Sequence, residues 1–121
     1  MTWLLVAAAG AAGAVSRYAV LLAIGPRPVP AATLLVNVAG SFLLGLVLPL
    51  GIFGRLSPQA TAAITVGFLG AFTTFSAFSW ELFDLGRTQR LPTAALYLAV
   101  SVAAGVIAAA LGYRVGEALS R

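Results

Sequence analysis

Four long apolar stretches, separated by short segments rich in glycine, proline and arginine, fill the chain from Trp3 to Gly116. Each is about 20 residues or longer, the length of helix that crosses a bilayer. The first runs from about Trp3 to Ile24 and closes at Gly25-Pro26 and Pro28. The second follows Pro30 and extends from about Ala31 to Leu50, with Pro49 and Gly51 loosening its end. The third opens with Ser57 as N-cap and Pro58 at the first helical position, and continues to about Leu85. The fourth starts at Pro92 and ends near Gly116. This pattern predicts an all-α membrane protein, with residues 1–121 forming a single transmembrane domain.

The third stretch departs from the others. An unbroken helix of about 28 residues would be roughly 42 Å long, against a hydrocarbon core of about 30 Å. The sequence Gly67-Phe68-Leu69-Gly70-Ala71-Phe72-Thr73-Thr74-Phe75-Ser76-Ala77-Phe78 accounts for the excess as a break between Gly70 and Thr74. The two glycines are expected to loosen the backbone, and Thr73, Thr74 and Ser76 bring hydroxyls to the groups set free. Phe75 and Phe78 lie one helical turn apart beside them. Irregular backbone at membrane depth is tolerated where it is buried in protein or lines an ion path, so this segment is the first candidate site. Freed carbonyls suit a cation such as Na⁺, whereas hydroxyls and the positive edges of aromatic rings suit a small anion.

Other intramembrane polar positions sharpen the picture. Asn37 sits about one third of the way along the second span, with Ser41 one turn further on. A buried amide needs partners, either a neighbouring helix or an anion facing its N–H groups, and Ser41 is expected to extend that polar face. Ser101 offers another hydroxyl in the fourth span. Small residues recur there every four positions, Ala104, Ala108, Gly112 and Gly116 in one row and Ser101, Gly105 and Ala109 in the next, as helices in close contact require. Ala9 and Gly13 do the same in the first span, and Ser41 and Gly45 in the second.

Composition narrows the function classes. The chain is 61% hydrophobic and 8% charged with a mean hydropathy of +1.05, far from the roughly one-quarter charge of soluble domains. Its net charge of +4 does not point to nucleic acid, because the seven basic residues are arginines scattered singly at segment ends. Without cysteine or histidine, thiolate and imidazole chemistry and most transition-metal sites are absent, and no enzyme is expected. The three acids are Glu81, Asp84 and Glu117. Glu81 and Asp84 lie within reach of Arg87 and Arg90 and are expected to form solvated ion pairs at a helix end. Arg17 can snorkel from the first span to the interface, and Trp3, Trp80 and Tyr113 fall near span ends as interfacial aromatics do.

Four spans put both termini on one side with Arg55, Arg114 and Arg121, and leave Arg17, Arg27, Arg87 and Arg90 on the other. Three arginines against four, with the terminal amine on the lighter side, give no excess to fix an orientation. Insertion in both orientations and an antiparallel homodimer are therefore expected, the two-chain form of an inverted repeat.

Three blocks carry a family likeness: Gly10-Ala11-Ala12-Gly13-Ala14-Val15-Ser16-Arg17-Tyr18, Thr33-Leu34-Leu35-Val36-Asn37-Val38-Ala39-Gly40-Ser41-Phe42, and Gly67 through Phe78. In this order, on a four-span chain, they resemble the Fluc (CrcB) fluoride channels over nearly the whole length. The resemblance implies an antiparallel dual-topology homodimer in the cell membrane, with a structural Na⁺ at the interface. It implies a fluoride-selective, passive channel that exports cytoplasmic fluoride and confers fluoride resistance. By the same resemblance Asn37, Phe75, Phe78, Ser101 and Tyr97 face the fluoride path, with Thr74 and Ser76 nearby. The resemblance also implies that backbone carbonyls of Gly70 and Thr73 hold the sodium and that Arg17 and Glu81 stand at the vestibules. Ala9, Ala32 and Ala71 replace frequent glycines, Ala77 replaces a frequent threonine, and Gly105 stands where another hydroxyl is expected in some relatives.

Two other readings fit a chain of this length. A dual-topology small multidrug exporter wants an acidic residue in its first span, and none lies between Met1 and Ile24. A non-conducting membrane assembly subunit accounts for the small-residue rows but gives the break and Asn37 no purpose.

Overall fold

The computed structural model describes residues 1–121 and is helical throughout. Its elements are α1 (Thr2–Ile24), α2 (Ala31–Ile52), α3 (Pro58–Ala62), a π-helical segment Ala63–Leu69, α4 (Gly70–Phe72), α5 (Phe75–Arg87) and α6 (Leu91–Ser120). Four helical stretches, Thr2–Ile24, Ala31–Ile52, Pro58–Arg87 and Leu91–Ser120, are long and apolar enough to cross a membrane. Ser57 caps α3 as its position predicts, its hydroxyl accepting from the Ala60 N–H at 3.2 Å.

The spans pack as two parallel pairs. α2 and α6 share the most extensive contact, α1 lies along the π-helical segment and α4, and the sequence neighbours α1 and α2 touch only lightly. Absent side chains make both pairings possible. A Cβ on Gly112 would collide with the Phe42 carbonyl and one on Gly116 with that of Leu46, so the row Ala108, Gly112, Gly116 is the buried stripe of α6. Gly13 meets the Phe68 backbone in the same way, and Gly67 meets Val6 and Ala9. Such close approach maximises dispersion contact between helices that gain little from the hydrophobic effect in lipid.

Only 17 of 121 residues are buried, and most large apolar side chains face outward, as suits a chain whose solvent is lipid. Trp3 and Trp80 are among the exposed aromatics.

The third span is irregular in two places. Thr73 (φ −83°, ψ 159°) and Thr74 (φ −151°, ψ 117°) are extended, separating α4 from α5. The glycines have a different part from the one their composition suggests. Gly70 is right-handed helical at φ −62°, and Gly67 lies inside the π-helical segment, where its missing side chain admits α1. The widened π-helical turn from Ala63 to Leu69 has no signature in the hydrophobic pattern.

Candidate functional site

One face of α2 carries Thr33, Asn37 and Ser41 at four-residue spacing, so the three stack along a single row. Each meets the third span or lies along it. Asn37 and Thr74 form a reciprocal pair: Asn37 Nδ2 donates to the Thr74 carbonyl at 3.0 Å, and the Thr74 N–H donates to Asn37 Oδ1 at 2.8 Å. Gly40 makes room for the Thr73 side chain, since a Cβ there would overlap the threonine methyl.

The pair determines where the other backbone groups go. In a continuous helix the Thr74 N–H would close on the Gly70 carbonyl, but here it is spent on Asn37. The Thr73 carbonyl receives no backbone N–H. Thr74 also caps α5, its hydroxyl accepting from the Ala77 N–H at 3.1 Å while pairing with Ser76 Oγ at 3.2 Å.

The aromatic residues continue from this point. Phe75 is 79% exposed and Phe78 only 9%, with ring centroids 5.9 Å apart. Phe78 tilts against Tyr97 of α6 at 5.3 Å. Tyr97, 2% exposed, donates its hydroxyl to Glu81 Oε2 at 2.7 Å, and Thr33 donates to Glu81 Oε1 at 2.6 Å. Glu81 is therefore not the solvated ion pair expected of it. Asp84 takes Arg87 as its partner, while Glu81, one turn deeper, is held by two neutral hydroxyls. It borders a cavity of about 480 Å³ that Arg27 and Thr33 also line.

Ser101 lies one turn beyond Tyr97, and its buried hydroxyl finds no partner within the chain. Arg17 stands apart from this network, with a buried, unpartnered Nε and no ion pair. Ser41 is also not the free donor its position suggested, because its hydroxyl hydrogen goes to the Asn37 carbonyl at 2.7 Å.

A second cavity, about 290 Å³, lies between α2 and the third span, with Asn37, Ser41, Thr65, Gly70, Thr73 and Thr74 among its lining residues. Thr65 and Thr33 escaped the sequence reading. Thr33 sits four residues before Asn37, a spacing that points to it, whereas nothing in Ala63-Ile64-Thr65-Val66 marks Thr65.

With this geometry in view, comparison with known proteins is decisive. A family model described as CrcB-like protein, Camphor Resistance (CrcB), matches residues 4–113. The chain belongs to the CrcB family. Curated CrcB relatives carry the name Fluoride-specific ion channel FluC. The one from Thermus thermophilus is 43% identical over 120 residues, covering 97% of this chain and 96% of its own. That of Deinococcus radiodurans is 45% identical over 121 residues, with 97% and 96% covered. One of Natronomonas pharaonis, FluC 2, is 44% identical over 119 residues, with 98% and 97% covered. This CrcB chain is a multi-pass integral protein of the plasma membrane.

Proposed function

We propose that this protein is a fluoride-selective passive channel built from two inverted copies, which exports cytoplasmic fluoride and thereby confers resistance to it. The single observation that carries the reading is the Asn37–Thr74 pair. It uses one amide hydrogen of Asn37 and leaves the other unspent beside the opened turn of the third span. The curated names of the relatives support fluoride as the ion.

Fluoride is small and tightly hydrated, so a pore must replace its water shell with oriented donors that still let the ion leave. The unspent Asn37 N–H, the unpartnered Ser101 hydroxyl and the Thr74–Ser76 pair are neutral donors of this kind. The rings of Phe75 and Phe78 offer positive edges without adding a buried cation. Tyr97 contributes by fixing Glu81, and Glu81 and Arg17 serve the vestibules, where the cavity beside Arg27 opens next to Glu81. Phe75 reaches out of its own subunit, which suits a path shared with a second copy, and the near-even arginine count suits an inverted one. The third span then acts as a broken helix at the centre of the assembly.

A structural Na⁺ belongs to the same reading. The Gly70 and Thr73 carbonyls, which the helix ladder does not claim, are hard neutral oxygens that fit a sodium ion. Bound there, the ion supplies positive charge that ties the two subunits together.

Fluoride-loaded proteoliposomes test the function. Rapid electrogenic efflux, followed with a fluoride electrode, is the expected result. Absence of efflux overturns the reading, and proton-coupled drug uptake in its place identifies a small multidrug exporter.

A further inference from the structure

A third, smaller cavity of about 150 Å³ opens where the α1–α2 and α5–α6 connections meet, and its lining includes Arg27, Arg90, Glu81, Asp84 and Trp80. The backbone holds both arginines in place. Arg27 stands between Pro26 and Pro28, which restrict the chain on either side, and its Nε donates to the Ile24 carbonyl at 3.2 Å. Arg90 follows Gln89, whose left-handed backbone (φ 59°) reverses the chain after α5, and the Arg90 N–H closes on the Leu85 carbonyl at 2.8 Å. The charges around the cavity are not matched to one another. The chain forms two ion pairs, Arg87 with Asp84 and Arg121 with Glu117, so Arg27, Arg90 and Glu81 have no charged partner. Glu81 is held by neutral hydroxyls, and Asp84 meets Arg87 through Oδ1 alone. Opposite charges that border one small space yet stay apart, at the edge of a low-dielectric layer, complement a guest that carries both signs.

We propose that this cavity binds the headgroup of a phosphatidylethanolamine, with its phosphate between Arg27 and Arg90 and its primary ammonium against Asp84 and Glu81. The guanidinium fork matches phosphate oxygens, and an ammonium brings three hydrogens to the two carboxylates. Phosphatidylglycerol offers those acids no cation, and the quaternary nitrogen of phosphatidylcholine offers them no N–H. The surroundings select a lipid over a soluble phosphate. Trp80 and Phe83, 62% and 59% exposed with ring centroids 5.7 Å apart, form an apolar shelf on α5 beside the cavity, in the place where interfacial aromatics meet lipid. The volume suits a headgroup, and the acyl chains stay outside along this shelf. The site stands whichever ion the protein conducts.

The test follows the thermal midpoint of the delipidated protein in dodecyl maltoside while dioctanoyl lipids are titrated in. Phosphatidylethanolamine is expected to raise the midpoint and saturate, at a half-saturating concentration about tenfold below those of the choline and glycerol lipids, as one charge-assisted contact requires. Arg90→Gln should weaken all three lipids, and Arg90→Lys should recover part of the loss. Asp84→Asn should erase the preference for ethanolamine while the other two lipids bind as before, a change of selectivity that a merely structural role would not produce. The lipid series on the unsubstituted protein is decisive even where a variant fails to fold. Equal response to the three lipids, or tighter binding of the glycerol lipid, overturns the proposal. Phosphoethanolamine without chains, if it matched the lipid in half-saturation, would overturn the lipid assignment in favour of a soluble ligand.

Discussion

Asn37 and Thr74 bind each other through two antiparallel hydrogen bonds, amide to carbonyl and N–H to amide oxygen, as paired strands do. A side chain of α2 thereby substitutes for backbone that the third span lacks at its extended residues. The arrangement satisfies polar groups that would otherwise cost several kcal/mol each in an apolar surrounding.

Asn37→Asp replaces the donor with a carboxylate oxygen and sets negative charge in the proposed anion path. Fluoride efflux from proteoliposomes is expected to disappear while the protein still elutes as a dimer. Normal efflux from this variant would remove Asn37 from the path.

Phe75 and Phe78 separate function from stability because one is exposed and the other packed. Phe75→Ile is expected to abolish efflux with the thermal midpoint nearly unchanged. Phe78→Ala leaves a gap against Tyr97 and should cost about 3 kcal/mol as well. The pair of efflux and melting measurements checks both, and equal stability losses would contradict the burial difference.

Glu81 is held by Thr33 and Tyr97, so removing either hydroxyl leaves the carboxylate short of a donor. Thr33→Val and Tyr97→Phe are each expected to cost about 1.5 kcal/mol, the range for a hydrogen bond to a charged group. Reversible unfolding of the two single variants and the double variant measures the coupling. Strict additivity would show that the two hydroxyls do not act on one shared group.

Orientation is open to direct labelling. A cysteine at Phe53, exposed just beyond α2, is expected to react with an impermeant maleimide from both faces of intact membranes. Reaction from one face alone would exclude insertion in both orientations and, with it, the inverted dimer.

Glycine positions differ in their tolerance for a reason visible in the packing. Gly112→Ala drives a methyl group into the Phe42 backbone and should prevent α2 and α6 from closing. Gly86→Ala meets nothing within 4 Å and should stabilise α5 by about 0.5 kcal/mol. Expression yield and thermal midpoint distinguish them.

Much of this molecule could be read from the chain because lipid imposes a simple code. Length and hydropathy marked four stretches apolar enough to span, and Ser57-Pro58 marked the start of the third. Asn37 announced itself as the one amide in an oily run. The less legible residues depended on how elements meet. Glu81 reads locally as a neighbour of Arg87 and Arg90, and only the approach of α2 and α6 supplies Thr33 and Tyr97. Gly67 and Gly70 read as weak points, yet one admits a neighbouring helix and the other stays helical. Thr65 is invisible because a π-helical turn shifts the register of the residues around it, and periodicity assumes a constant one.

The way the spans are paired also constrains how the molecule is made. α1 finds its main companion only in residues 58–72, and α2 finds its own only in α6, the last of the four spans. The α1–α2 hairpin is thus a pair of near strangers, and α2 must wait in the bilayer until α6 has been synthesised. A message cut short before Leu91 would yield three inserted helices with one seam open, a natural mark for quality-control proteases.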